Sequence, residues 1–168
     1  MDHNLKQEDL LPDPCSPYAV QKLVGELYCK VYTEAFGLET VALRYFNVFG
    51  PRQDPESHYA AVIPAFVRHM LQGNPPKIFG DGLQSRDFTF VDDVVAANLA
   101  AMSAAPEATG RVYNVARNAR TTLLEIVDAL NEILGTDIKP DFLPERAGDV
   151  RHSASTAAPV LVVYSGRS

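Results

Sequence analysis

Long apolar runs are what this sequence most lacks. The longest, such as Ala157 to Tyr164, fall well short of the roughly 20 residues that a bilayer-spanning helix needs, so no transmembrane helix is expected. Cysteine is scarce: Cys15 and Cys29 alone cannot build a disulfide scaffold, and their separation is not a metal-ligand spacing. Cys29 falls within a helical apolar pattern, and both are read as reduced, structural thiols. Positive charge is in deficit, with 15 Lys and Arg against 21 Asp and Glu. The net charge of −6 and a pI near 5.1 argue against broad binding to nucleic acid or an anionic membrane, while leaving room for a local arginine pocket for a phosphorylated small molecule. Met1 to Asp9 carries three acidic side chains where a secretory signal needs a basic start and an apolar stretch, so the cytoplasm is the expected location. Internal repeats and low-complexity tracts are absent.

What is present is the composition of a globular protein with one packed core: 168 residues, 46% hydrophobic and 21% charged, with a mean hydropathy of −0.08. Residues 1 to 14 are polar and proline-marked, and read as a lead-in loop. Ser16 before Pro17 is a helix start, because serine can cap free backbone N–H groups and proline is tolerated at the first helical position. Val20, Leu23, Val24, Leu27, Val31 and Ala35 then recur at spacings of three and four, and Gly37 offers a left-handed stop. Leu38 to Phe46 reads as a largely buried strand, ended by a loop from Asn47 to Pro51. A helix follows from about Tyr59 to Gln72, then a short strand at Lys77 to Phe79, a turn at Gly80 to Gly82, and a strand at Arg86 to Phe90. Asp92 or a neighbour is expected to cap an alanine-rich helix to about Ala105. Arg111 to Val115 reads as a strand, and Thr121 or Thr122 caps a helix to Leu134. The alternation predicts an α/β protein. After Asp149 the pattern deteriorates, and poor order is expected.

Tyr18 and Lys22 stand four apart on the first helix, so their side chains share one face. There an ammonium can lower the pKa of a phenol, and such a phenol can exchange a proton with a substrate hydroxyl. Taken alone, the same pair also describes an amphipathic tyrosine beside a solvated lysine.

The surrounding motifs narrow the choice. Ser16 to Lys22 (SPYAVQK), Leu43 to Pro51 (LRYFNVFGP), Gly80-Asp81-Gly82, Ser85 to Phe88, Val91 to Val94, Tyr113-Asn114-Val115 and Arg146 to Val150 together resemble the extended short-chain dehydrogenase/reductase family of nucleotide-sugar epimerases and dehydratases. The resemblance covers about residues 12 to 153, and within the family it is nearest to the UDP-N-acetylglucosamine 4-epimerase branch. It implies a partial Rossmann-like fold with NAD as cofactor and a UDP-sugar as substrate. Residues 1–50 would be the C-terminal part of the NAD-binding domain, 51–153 mainly the nucleotide-sugar region, and 154–168 a tail outside the family pattern.

By this resemblance Tyr18 is the catalytic acid/base, while Lys22 binds the nicotinamide ribose and tunes Tyr18. Tyr45, Phe46, Asn47 and Val48 lie by the cofactor, with the Asn47 amide touching the nucleotide sugar; ligands of α/β sheets do collect at carboxyl ends of strands. Arg86 and Arg146 hold the diphosphate and nucleotide, Asp149 accepts from a ribose hydroxyl, and Ala61, Val62 and Phe66 wall the uracil and ribose site. Guanidinium forks suit the phosphate role. Surface ion pairing for the arginines and core packing for Phe66 are the alternatives. Ser153 stands where a small residue leaves room for an N-acetyl group. The Tyr18 helix, through Leu23, Leu27 and Val31, is a candidate homodimer surface, although burial in its own core explains those residues equally.

The sequence departs from the family in two respects that bear on activity, the first being the serine or threonine that the resemblance implies more than 20 residues before the tyrosine, for which Tyr18 has no counterpart upstream. No G-x-x-G-x-x-G turn occurs to hold a pyrophosphate at a helix N-terminus. The chain therefore reads as the C-terminal portion of a 4-epimerase and is expected to be inert by itself. The alternatives are a fragment of a sugar-nucleotide dehydratase or UDP-glucuronate decarboxylase, and a non-catalytic nucleotide-sugar binding module.

Overall fold

The computed structural model describes residues 5–6, 8, 11–54, 62–145 and 152–155. In chain order the elements are β1 (Leu5–Lys6), α1 (Pro17–Phe36), β2 (Val41–Tyr45), β3 (Val48–Phe49), α2 (Val62–Leu71), β4 (Lys77–Phe79), β5 (Ser85–Arg86), β6 (Thr89–Phe90), α3 (Val91–Met102), β7 (Arg111–Val115), β8 (Thr121–Thr122), α4 (Leu123–Leu134), β9 (Asp141–Leu143) and β10 (His152–Ser155). This is the α/β architecture the alternation predicts.

Local chemistry sets the limits of α1. The Ser16 hydroxyl accepts the Ala19 N–H at 3.1 Å, and Gly37 closes the helix in the left-handed region at φ 67°. β2 pairs in parallel with β7, Val41 opposite Arg111 through Tyr45 opposite Val115. Side chains alternate across that ribbon. Arg44 points to α1, where it meets Glu26, and Tyr45 points to α3, where its hydroxyl donates to Asn98 Oδ1 at 3.0 Å. Helix, parallel strands and helix thus form three layers, with Val94, Ala97 and Val115 buried between β7 and α3 and Leu43 and Val48 packed on them. A second core joins α2 to α4: Phe66, Met70, Ile78, Leu123, Ile126 and Val127 interlock.

Several short elements depart from the sequence reading. The expected single strand at Arg86 to Phe90 divides, because β5 pairs with β10 and β8 while β6 pairs in parallel with β3, and buried Asp87 stands at the break. β3 lies within the expected loop after Phe46, held by Phe49 packed edge-on against Phe88 and Phe90. Asp92 does not cap α3: the cap position is Phe90 without a side-chain bond, and Asp92 and Asp93 occupy the first turn, where carboxylates favour the helix dipole. That helix ends at Met102, not at Ala105. β1 lies within the expected lead-in loop, β9 within a stretch read as having no element, and β10 within the region expected to be poorly ordered; each is held by a parallel partner distant in sequence. The expected start of α2 at Tyr59 lies outside the described residues.

Candidate active site

α1 runs antiparallel to β2, and two contacts give the pitch of one against the other. Near the helix end, the hydroxyls of Thr33 and Thr40 lie 2.8 Å apart; seven residues earlier, Glu26 meets Arg44. Seven helical residues rise about 10 Å and four strand residues about 13 Å, so the two elements advance together. One and two turns further toward the helix start come Lys22 and Tyr18, level with the segment at and just past the carboxyl end of β2. That end carries Tyr45, Phe46 and Asn47.

On α1 the Lys22 ammonium sits 5.3 Å from the centroid of the Tyr18 ring, and Tyr18 is 57% exposed. The expected pairing of phenol and ammonium on one face is therefore present, in a position open to a ligand. Beneath it, Arg44 grips Glu26 by two bonds, Nε to Oε1 at 2.7 Å and Nη2 to Oε2 at 2.6 Å. Those bonds raise the pKa of the guanidinium above its ordinary value, against the opposing effect of burial.

Asn47 adopts φ 29°, and its amide donates to the main-chain carbonyl of Asp87 at 2.9 Å. The carbonyl of Asn47 accepts the Thr89 N–H at 3.3 Å. These two bonds tie the end of β2 to the segment that bears Arg86. Arg86 is half-buried in β5, with Ser153 of β10 directly opposite in parallel register. Asn47, Arg86 and the backbone of Ser153 are thus joined through adjacent segments.

Other expected residues sit differently. Tyr45 turns away from α1, toward α3, where with Leu43, Asn98 and Met102 it lines a cavity of about 380 Å³. Phe66, expected to wall a nucleotide site, is 3% exposed within the α2–α4 core; packing against Met70 and Ile78 accounts for its burial. Val62 packs against that same core, Val48 against the β7–α3 core, and the Phe46 N–H donates to the Val115 carbonyl at 3.1 Å. Ala61, Arg146 and Asp149 lie outside the described residues, as does the side chain of Ser153. A larger cavity, about 620 Å³, opens between α2 and the Gly50 to Gln53 loop, with neither Tyr18 nor Arg86 in its lining. The sequence reading gave no role to Glu26, Asp87 or Asn98, although Asp87 stands within the Ser85 to Phe88 motif; their roles come from contacts far apart in sequence.

The arrangement fits one end of a dinucleotide. A phenol and an ammonium one turn apart, level with the carboxyl end of a parallel strand, place hydrogen-bonding groups where ligands of α/β sheets collect. For the pyrophosphate, the sequence holds no glycine-rich turn.

Layered parallel strands and helices with a Tyr–Lys helix at the strand ends define a Rossmann-like α/β protein. Residues 2–116 match the family model described as the NAD dependent epimerase/dehydratase family, and the chain belongs to that family. It is 40% identical over 146 residues to the UDP-glucose 4-epimerase of Mycolicibacterium smegmatis, covering 87% of this chain and 46% of that protein. It is 35% identical over 127 residues to the UDP-N-acetyl-alpha-D-glucosaminuronate decarboxylase of Bacillus cytotoxicus, covering 76% and 38%. Among solved structures, it resembles the UDP-N-acetylglucosamine 4-epimerase of Methanobrevibacter ruminantium M1 in complex with UDP-N-acetylmuramic acid, with TM-score 0.88 and 43% identity over 94% of this chain and 50% of that one. It also resembles the UDP-glucuronic acid 4-epimerase of Bacillus cereus in complex with UDP-glucuronic acid and NAD, with TM-score 0.80 and 37% identity over 91% and 48%. The chain spans about half the length, or less, of the proteins it matches here.

Proposed function

We propose that this chain supplies the acid/base and nucleotide-sugar side of an NAD-dependent UDP-sugar 4-epimerase, acting in the cytoplasm on UDP-N-acetylglucosamine or UDP-glucose. The observation that carries the reading is the Tyr18–Lys22 pair, with its ammonium 5.3 Å from the phenol ring, held on a helix level with the carboxyl end of β2. NAD, when bound, supplies the two-electron acceptor and donor for carbon 4 of the sugar. Tyr18 takes the proton of the C4 hydroxyl as that carbon is oxidised and returns it on reduction. Lys22 binds the nicotinamide ribose, and its charge favours the phenolate that accepts the proton. The backbone of Tyr45, Phe46, Asn47 and Val48 borders the cofactor while the Tyr45 and Val48 side chains turn to α3, the Asn47 side chain faces the sugar, and Arg86 with Arg146 holds the diphosphate. Asp149 binds the ribose, and Ser153 leaves space for the N-acetyl group. Residues 1–50 correspond to the C-terminal part of the cofactor domain and 51–153 mainly to the substrate region.

Because the sequence has no pyrophosphate-binding turn, the chain by itself binds nucleotide sugar without turning it over. Circular dichroism melting tests this. Millimolar UDP-N-acetylglucosamine raises the Tm, while NAD at the same concentration leaves it in place. Near-stoichiometric NAD released from the denatured protein, or a shift with NAD and none with the UDP-sugar, contradicts the reading.

A further inference from the structure

Lys22, Glu26 and Lys30 recur at every fourth position of α1, so each is the surface neighbour of the next. A carboxylate between two ammonium groups one turn away on either side would ordinarily answer one of them. Glu26 answers neither. Its carboxylate is taken from the side by Arg44 of β2 in a two-bond fork of 2.7 and 2.6 Å, where the two side chains are only 26% and 18% exposed. Lys30 is answered instead by Glu34 at 3.9 Å. Among the described residues no carboxylate pairs with Lys22, whose ammonium stands over the Tyr18 ring. On the far side of Arg44, Asn114 lies opposite in register on β7, and its N–H is held by the Glu8 carboxylate at 3.0 Å. Arg44 therefore has a negative group on each side.

We propose that Arg44 is a positioning residue for the acid/base pair: by holding Glu26 in a fork it keeps that carboxylate from neutralising Lys22, so the ammonium charge stays directed at Tyr18. The chemical reason is the bidentate match of guanidinium and carboxylate, which one lysine ammonium cannot equal. This inference rests on Tyr18 being the proton-transfer group, but its test requires neither cofactor nor turnover.

The test is the alkaline rise of phenolate absorbance, isolated for Tyr18 by subtracting the same titration of a protein that also carries Tyr18→Phe. In Arg44→Met the freed Glu26 turns to Lys22, and the Tyr18 midpoint moves to higher pH, by about half to one unit for a charge neutralised at this range. Arg44→Lys, which keeps the charge and can make a single bond, gives a smaller shift in the same direction. In Glu26→Gln/Arg44→Met no carboxylate is left to move, and the midpoint returns to that of the native chain. A melting curve of each variant separates fold from function. If the fork only fastens α1 to β2, the variants lose Tm while the Tyr18 midpoint stays put, and that result overturns the proposal. A midpoint that shifts in Arg44→Met and does not return in the double variant also overturns it. Should the titrations follow the expectation while the chain fails to bind a UDP-sugar, the functional reading falls and the role of Arg44 stands.

Discussion

Asn47 has two duties that pull on one side chain. Its φ of 29° is a conformation that asparagine tolerates better than most residues, and its amide spends a hydrogen bond on the Asp87 carbonyl. Asn47→Gly keeps the backbone freedom and removes the bond, so it costs about 1 kcal/mol; Asn47→Ala adds the strain of a positive φ and costs about 1–2 kcal/mol more. Urea denaturation of both variants checks this, and equal losses would mean that the backbone conformation contributes nothing. The motif around Asn47 marked it in the sequence as a sugar-contacting residue, whereas its bond to Asp87, 40 positions away, could not be read there. Phe66 makes the complementary point: an aromatic at a helical spacing suits a ligand wall and a core equally, and only the packing of α4 against α2 shows it in the core.

Thr122 and Glu125 show what is legible at the scale of an element. Threonine followed three positions later by glutamate is a capping box, and both of its bonds form: the Glu125 N–H to the Thr122 hydroxyl at 3.2 Å, and the Thr122 N–H to the Glu125 carboxylate at 2.7 Å. That backbone bond, and then the Thr122 hydroxyl, hold the Glu125 carboxyl below its ordinary pKa. A depressed carboxyl contributes stability that is present above its unfolded pKa and is lost as pH falls through its folded value. Glu125→Gln is therefore expected to flatten the acid limb of the melting profile below about pH 4.5. An unchanged limb in Tm measured from pH 3 to 7 would contradict that assignment. Gly82 turns the chain between β4 and β5 at φ 77°, and an added Cβ would lie 2.9 Å from Leu124 Cγ. Gly82→Ala should thus lower stability by about 1–3 kcal/mol, measured by the same denaturation. The long helices were readable because their periodicity and caps are local. β1, β3, β9 and β10, of two to four residues each, and the division of β5 from β6 were not, because each strand is held by one distant in sequence.

Over the whole molecule, apolar surface is left uncovered. α1 is 20 residues long with no buried residue, and Leu27, Tyr28 and Val31 are each at least half exposed on the side away from β2. Surface of that kind favours association, and a second copy of α1 is the proposed partner. Sedimentation velocity should give a dimer for the native chain and a monomer for Leu27→Lys/Val31→Lys; a native monomer at tens of micromolar would contradict it. The more direct question is whether the helix proposed for acid/base work and the Arg86 segment proposed to hold phosphate serve one ligand. The Asn47 side-chain amide bonds the Asp87 carbonyl, next to Arg86 in the chain, and the pitch of α1 on β2 sets Tyr18 and Lys22 beside that end of the strand. A titration of the isotope-labelled chain with UDP-N-acetylglucosamine, followed by amide resonances, reads this in one experiment. The signals of Tyr18, Lys22, Asn47 and Arg86 should move together and saturate at one ligand concentration. Movement at Arg86 with Tyr18 and Lys22 unperturbed throughout would contradict it.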